Sequence, residues 1–226
     1  MQERAARTRQ ALMEAAAEEF AERGYEGASL QRMVWRAATS IGALTFHFGT
    51  KNVLAQEVRT AARARLGCCL EDLGAADPLR ELRTLIGRLA RLAYEDPFVR
   101  AARRLETDRP GEVPPLTETW LPVLHGLLDR AYGAHRLRPG ISPGDAVALL
   151  EHLAEGAMAA HGATRGTGHE AGPAEGRGAG RAERRDADWD SVWDVVLHGL
   201  TVGGTDGTSG TSGTGGPGRT GGTARM

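Results

Sequence analysis

Lysine is almost missing from this 226-residue chain: Lys51 stands alone beside 27 arginines. Also missing is any apolar run near the ~18 residues that a membrane-crossing helix needs, and the N-terminus carries no signal-peptide pattern. The chain therefore reads as cytoplasmic, with no membrane contact. Cysteine is scarce, and Cys68 and Cys69 are adjacent. Neighbouring cysteines bridge only across a strained backbone, so two reduced, packed thiols are expected. No window alternates apolar and polar residues with the period of two that a half-buried strand requires, and Val, Ile, Thr and aromatic residues are few. That argues against a sheet. The seven histidines (His47, His125, His135, His152, His161, His169 and His198) make no HExxH or other metal spacing. Nucleophile elbow, P-loop and paired-cysteine zinc patterns are absent as well. No catalytic residue, metal or cofactor is expected.

Charge is unevenly placed. Residues 1–66 hold ten basic and seven acidic side chains, 10 − 7 = +3, which leaves −1 − 3 = −4 for the remainder. From Glu26 to Glu57 no acidic residue intervenes, while Arg32, Arg36, His47 and Lys51 all fall in that window. Such a window suits a polyanion, because nearby carboxylates otherwise cancel the attraction to phosphate. An ordinary solvated face has the same composition.

What the sequence does contain is helical periodicity. Leu12, Ala16 and Phe20 stripe a first helix over about 3–22, closed by "RGYEG", where Gly24 suits a left-handed end. Ser29 can cap a short helix at about 30–37. A tight turn at Ala38–Ser40 leads into a third over about 41–47, and Thr50 can cap a long fourth over 51–72. Asp77-Pro78, Asp96-Pro97 and Ser142-Pro143 each open a further helix, proline being tolerated at the first helical position. Between the last two, Leu116, Trp120, Leu124, Leu127 and Ala131 stripe a helix over about 115–136. Trp189, Trp193, Val196 and Leu200 stripe a final one. Two segments, 162–187 and 202–226, are rich in Gly, Thr, Arg and Glu without apolar periodicity, and read as a flexible insertion and a disordered tail. The expected fold is all-α, about nine helices with no sheet: a three-helix unit over 1–50, then a helical bundle over 51–201.

Short second and third helices joined by a tight turn fit a helix-turn-helix, whose later helix reads base edges in the major groove. In the third helix Leu44 and Phe48, four apart, face inward; Ile41, Gly42, Thr45 and Phe46 then face outward, with His47 and Lys51 beside them.

The letters extend this. "ALMEAAAEEFAERGYEGASLQRMVWRAATSIGALTFHFGTKNVLAQEV" resembles the N-terminal domain of the TetR family of transcription regulators. The resemblance rests on Ala16, Phe20, Gly24-Tyr25, Ser29, Met33, Ala37, Gly42-Ala43-Leu44, Phe46-His47-Phe48 and Lys51. It implies that Ser29, Ser40, Ile41, Gly42, Ala43, Thr45, Phe46, His47 and Lys51 meet a double-stranded, pseudo-palindromic operator. Two positions depart from the family pattern. Ile41 replaces a common polar residue, and Thr45 replaces a phosphate-bonding tyrosine, so weaker phosphate anchoring and an altered base preference are expected. Trp35, normally a variable exposed position, is either a surface aromatic covering arginine stems or a phosphate-backbone contact.

"DPFVRAARRLETDRP", "TETWLPVLHGLLDRAYGAHRLRPGISPGDAVALL" and "DWDSVWDVVLHGL" are similar to the γ-butyrolactone autoregulator receptor branch of that family. The resemblance implies control of secondary metabolism in a high-GC actinomycete, which the arginine bias suits. It also implies a small effector, mostly apolar and of butyrolactone, furan or butenolide type, packed on Trp120. Tyr94, Thr117, Thr119 and His125 are candidate polar neighbours. A homodimer is implied through the last two long helices, with Val147, Leu150, Ala154, Trp189, Trp193 and Val196 as interface candidates. Two alternatives stay open: a pseudo-receptor repressor sensing an antibiotic or biosynthetic intermediate, and a helical small-molecule-binding protein or enzyme without DNA binding.

Overall fold

The computed structural model describes residues 2–73, 77–109, 114–163, 191–192 and 194–202, with helix backbone alone over 157–163. Eight helices follow in order: α1 (Gln2–Gly27), α2 (Leu30–Arg36), α3 (Ile41–Phe48), α4 (Lys51–Leu70), α5 (Pro78–Glu95), α6 (Pro97–Asp108), α7 (Thr117–Gly133) and α8 (Pro143–Ala163). A ninth, α9, is described at 191–192 and 194–200. The protein is all-α: among the described residues the only β pairing is an isolated antiparallel bridge, Leu137 with Thr201. None of the described helices is long and apolar enough to cross a membrane. The insertion expected at 162–187 and the tail expected at 202–226 lie outside the described residues, save that α8 continues through 162–163 and that Val202 is described.

Capping residues start the helices where their chemistry allows. The Asp77 carboxylate accepts the Leu79 and Arg80 N–H groups at the head of α5, and Asp96 accepts those of Phe98 and Val99 at the head of α6. Each satisfies N–H groups that no helical carbonyl can reach. Thr50 and Ser142 do the same for α4 and α8. Ser29 does not: it occupies the N-cap position of α2, but its side chain makes no capping bond. Its backbone N–H instead reaches Glu19 Oε1 on α1 at 3.1 Å.

Gly24 breaks α1 with φ 68° and ψ −174°, after which one more helical turn runs to Gly27. Here glycine is needed twice over. The backbone lies where an L side chain is strained, and a Cβ would sit 2.1 Å from Asp108 Oδ2 on α6. That oxygen accepts the Tyr25 N–H at 2.7 Å.

The core runs unbroken from Leu12, Phe20, Leu44 and Phe48 at one end to Leu89, Trp120, Leu128 and Leu150 at the other. The most extensive helix pairing is α1 with α6, followed by α4 with α6. α6 therefore touches both the N-terminal helices and the bundle. The cysteines differ from expectation. Both are free thiols, but Cys68 is exposed and only Cys69 is half-buried, because residues 100° apart on α4 cannot both face inward.

Candidate nucleic-acid interface

α3 is held by Leu44 and Phe48, both buried, and by the Ser40 hydroxyl, which accepts the Ala43 N–H at 3.2 Å. This leaves Ile41, Gly42, Thr45 and Phe46 exposed, with Ala43 and His47 half-buried. Phe46 is 82% exposed. The Thr45 hydroxyl is not free to donate outward, since it bonds back to the Ile41 carbonyl at 2.9 Å. The turn before α3 places Ala38 at φ 47°, a conformation costly for a residue with a Cβ. Trp35 on α2 is 81% exposed.

The basic residues do not stand where the linear charge pattern puts them. Glu19 on α1 is fully buried and takes Arg32 Nε at 2.5 Å, while Arg32 also donates to the Gly27 carbonyl. Arg36 is bound by Glu18 at 3.1 Å and Glu22 at 2.7 Å, and the Glu22 bond holds its guanidinium above the usual arginine range. The window free of acids in sequence is not free of them in space, because α1 lays its carboxylates against α2. Lys51 is drawn inward as well. Its Nζ lies 4.8 Å from the Tyr25 ring and 3.5 Å from the Glu26 carbonyl.

Glu19 is the residue here that sequence patterning passes over, a carboxylate in the middle of an apolar stripe. One oxygen serves Ser29 and Arg32; the other accepts no hydrogen bond among the described residues and lies 4.0 Å from Arg36 Nη2. Glu19→Ala should lower unfolding free energy by about 2 kcal/mol, the scale of charge-assisted hydrogen bonds lost at a buried site. Urea titration checks it, and a change below about 0.5 kcal/mol would place the network among surface ion pairs.

A second feature lies in the bundle. A cavity of about 240 Å³ is bordered by Leu66, Val99, Leu116 and Trp120 on its apolar side, and by Arg103, Glu106, Thr107 and Glu155 on its polar side. Trp120 is 1% exposed. Arg103 pairs with Glu155 at 3.4 Å, and Glu106 accepts the Leu116 N–H at 2.8 Å. Burial pushes the Glu106 carboxyl above the usual carboxylate range, against the pull of that N–H and of Arg103, Arg63 and Arg59. Of the five residues expected around an effector, Trp120 borders this cavity, whereas Tyr94, Thr117, Thr119 and His125 do not. The buried stripe of α7 is Trp120, Leu124, Leu127, Leu128 and Ala131; the two threonines and His125 point off it, and His125 is exposed. α6 supplies three of the polar residues instead, Arg103, Glu106 and Thr107, and α8 the fourth, Glu155.

The interface candidates require a larger correction. Val147, Leu150 and Ala154 are buried inside their own chain, where α8 packs on α5 and α7, and Val196 is half-buried against the same core. Trp189 and Trp193 lie outside the described residues. Among the described residues, the large apolar side chains left open on these two helices are Leu149 of α8 and Val192 and Val195 of α9.

Residues 12–58, covering the end of α1 through the first turns of α4, match the description "Bacterial regulatory proteins, tetR family". The N-terminal segment is therefore of TetR type. A search of curated sequences finds no match, but solved structures of TetR type align along most of the chain. A γ-butyrolactone receptor described as ArpA-like is 28% identical over 88% of this chain and 90% of its own, with a TM-score of 0.64. CprB from Streptomyces coelicolor, in complex with its biological operator sequence, is 28% identical over 86% and 90%, with a TM-score of 0.60. A third structure, which addresses control of antibiotic production by bacterial hormones, is 26% identical over 86% and 98%, with a TM-score of 0.62. The matched residues take in α2 and α3, and γ-butyrolactone receptors are among the solved structures that resemble the chain over most of its length.

Proposed function

We propose that this chain is a TetR-family ligand-responsive repressor that binds a pseudo-palindromic operator as a homodimer and is released by a small molecule held beside Trp120. The head spans 1–50 and the regulatory and dimerising part 51–201. The observation that carries the reading is the position of α6. The same helix borders the cavity through Val99, Arg103, Glu106 and Thr107, and at its last residue grips the head through Asp108, which accepts the Tyr25 N–H. An effector that binds differently to two placements of α6 shifts the equilibrium between them, and with it the spacing of the two heads.

Ser29, Ser40, Ile41, Gly42, Ala43, Thr45, Phe46, His47 and Lys51 form the contact surface of the head. A γ-butyrolactone-type effector sets its apolar body against Trp120 and Val99, with its carbonyl accepting from Arg103. Control of antibiotic production is the matching role, in the cytoplasm on the nucleoid, without catalysis. A second reading, a pseudo-receptor for an antibiotic or biosynthetic intermediate, is favoured by the polar side of the cavity. Three ionisable groups there suit a ligand with more hydrogen-bonding groups than a plain lactone. The dimer forms through the open faces of α8 and α9, with Leu149, Val192 and Val195 at its centre.

Titrating operator-bound protein with butyrolactones and with polar pathway intermediates, following anisotropy of the labelled DNA, separates the two readings by which class releases the complex. Salt separates both from a protein that binds small molecules without DNA. The DNA complex weakens with salt, but with a shallow log–log slope of roughly −2 to −4 for two heads, because Arg32 and Arg36 are already paired within the chain. No salt-sensitive, sequence-specific complex at all would overturn the reading.

A further inference from the structure

No residue of α3 carries a guanidinium, an ammonium, a carboxylate or an amide; its eight residues are Ile41, Gly42, Ala43, Leu44, Thr45, Phe46, His47 and Phe48. Hydrogen-bond readout of guanine falls chiefly to Arg or Lys, and that of adenine to Asn or Gln, because these present paired donors or a donor and an acceptor to the base edge. α3 has none of them. Its one hydroxyl donates to Ile41 O. Its imidazole, His47, is half-buried, with its ring edge-on to Phe46 at 5.2 Å and tilted against Phe48 at 6.1 Å. What faces outward is apolar: Ile41 is 42% exposed and Phe46 82%. Of the four base pairs, only those with thymine offer an apolar group in the major groove, the C5-methyl. The neighbouring arginines of α2 do not fill the gap, since Arg32 and Arg36 are held by α1 carboxylates.

Resting on the DNA-binding reading above, we propose that this chain recognises its operator chiefly through thymine methyl groups, contacted by Ile41 and Phe46 at the outward edge of α3. Ile41, in the first helical position, stands at the end that meets base edges in this motif. Phe46, one and a half turns on, extends the apolar edge along the groove. Single exposed apolar residues are ordinary on a protein surface; two on the reading helix, which carries no Arg, Lys, Asn or Gln of its own, are a recognition surface.

The test uses the full chain without effector. In vitro selection from a random double-stranded library yields the bound sequence, and each thymine of the half-site is then replaced by uracil. Uracil keeps both the pairing edge and the O4 acceptor and removes only the methyl, so any contact from Gln31 on α2 to an adenine survives. Each contacted methyl should be worth about fourfold in affinity, the size expected for one buried methylene-sized group. Ile41→Ala and Phe46→Ala, at exposed positions that leave the core intact, should each abolish the difference between thymine and uracil at one position of the half-site. An enriched site indifferent to uracil, or one read through G·C pairs alone, overturns this proposal while leaving DNA binding in place. Failure to enrich any sequence overturns both.

Discussion

Leu149→Glu should leave the chain folded but monomeric, with operator affinity lower by about two orders of magnitude or more. Leu149 is 44% exposed on α8 and outside the core cluster, so the substitution disturbs little intrachain packing. In a dimer interface the introduced carboxylate is desolvated without a partner, which costs far more than the lost apolar contact. Two linked heads on one palindrome gain 10²–10⁴ or so over a single head through effective concentration, and a monomer forfeits that gain. Sedimentation reports the oligomeric state, and DNA titration reports the affinity. The neighbouring change Leu150→Ala is the contrast. Leu150 is fully buried against α5 and α7, so it should lower stability by about 2–5 kcal/mol without a specific effect on association. A Leu149→Glu protein that stays dimeric at micromolar concentration places the interface elsewhere.

Trp120→Ala should be the most destabilising single change near the cavity, by about 3–5 kcal/mol, because an indole with 1% exposure leaves a void its neighbours cannot fill. Thermal or urea unfolding reads that directly. Trp120→Phe keeps most of the volume and separates stability from ligand binding. It should fold with a smaller loss and bind effector about tenfold more weakly, since the indole wall and its N–H are gone. Effector affinity unchanged in Trp120→Phe would move the binding site away from this cavity, whereas weaker binding together with retained operator affinity supports it. The same pair of variants bears on the polar side. If Arg103 supplies the effector's hydrogen bond, its pairing with Glu155 must open for the ligand to be seated, and effector binding then depends on both residues.

Much of this protein was readable from local chemistry. A helix starts where Asp or Ser precedes proline, because a capping oxygen and a fixed φ are properties of two neighbouring residues; Asp77, Asp96 and Ser142 show this. The phase of α3 was equally local. Leu44 and Phe48 are the pair with helical spacing that can anchor it, and once they are inward Ile41 and Phe46 are outward by geometry alone. The likeness of the N-terminal segment to TetR regulators followed from a combination of such positions within one stretch.

Three features were decided only by tertiary structure. Arg32 and Arg36 lie in a stretch without acids, but charges interact through space, and α1 brings Glu18, Glu19 and Glu22 against them. α8 carries apolar residues on more than one face, so periodicity identified a helix without saying which stripe meets α5 and α7; Val147, Leu150 and Ala154 went inward and Leu149 was left open. The cavity owes its polar wall to α6 and Glu155 of α8, which meet Trp120 only when α6, α7 and α8 pack together. Capping, helical phase and family likeness are set over a few residues along the chain. Charge pairing, interface and cavity lining are set by neighbours tens of residues away, and a sequence does not say which of those will be near.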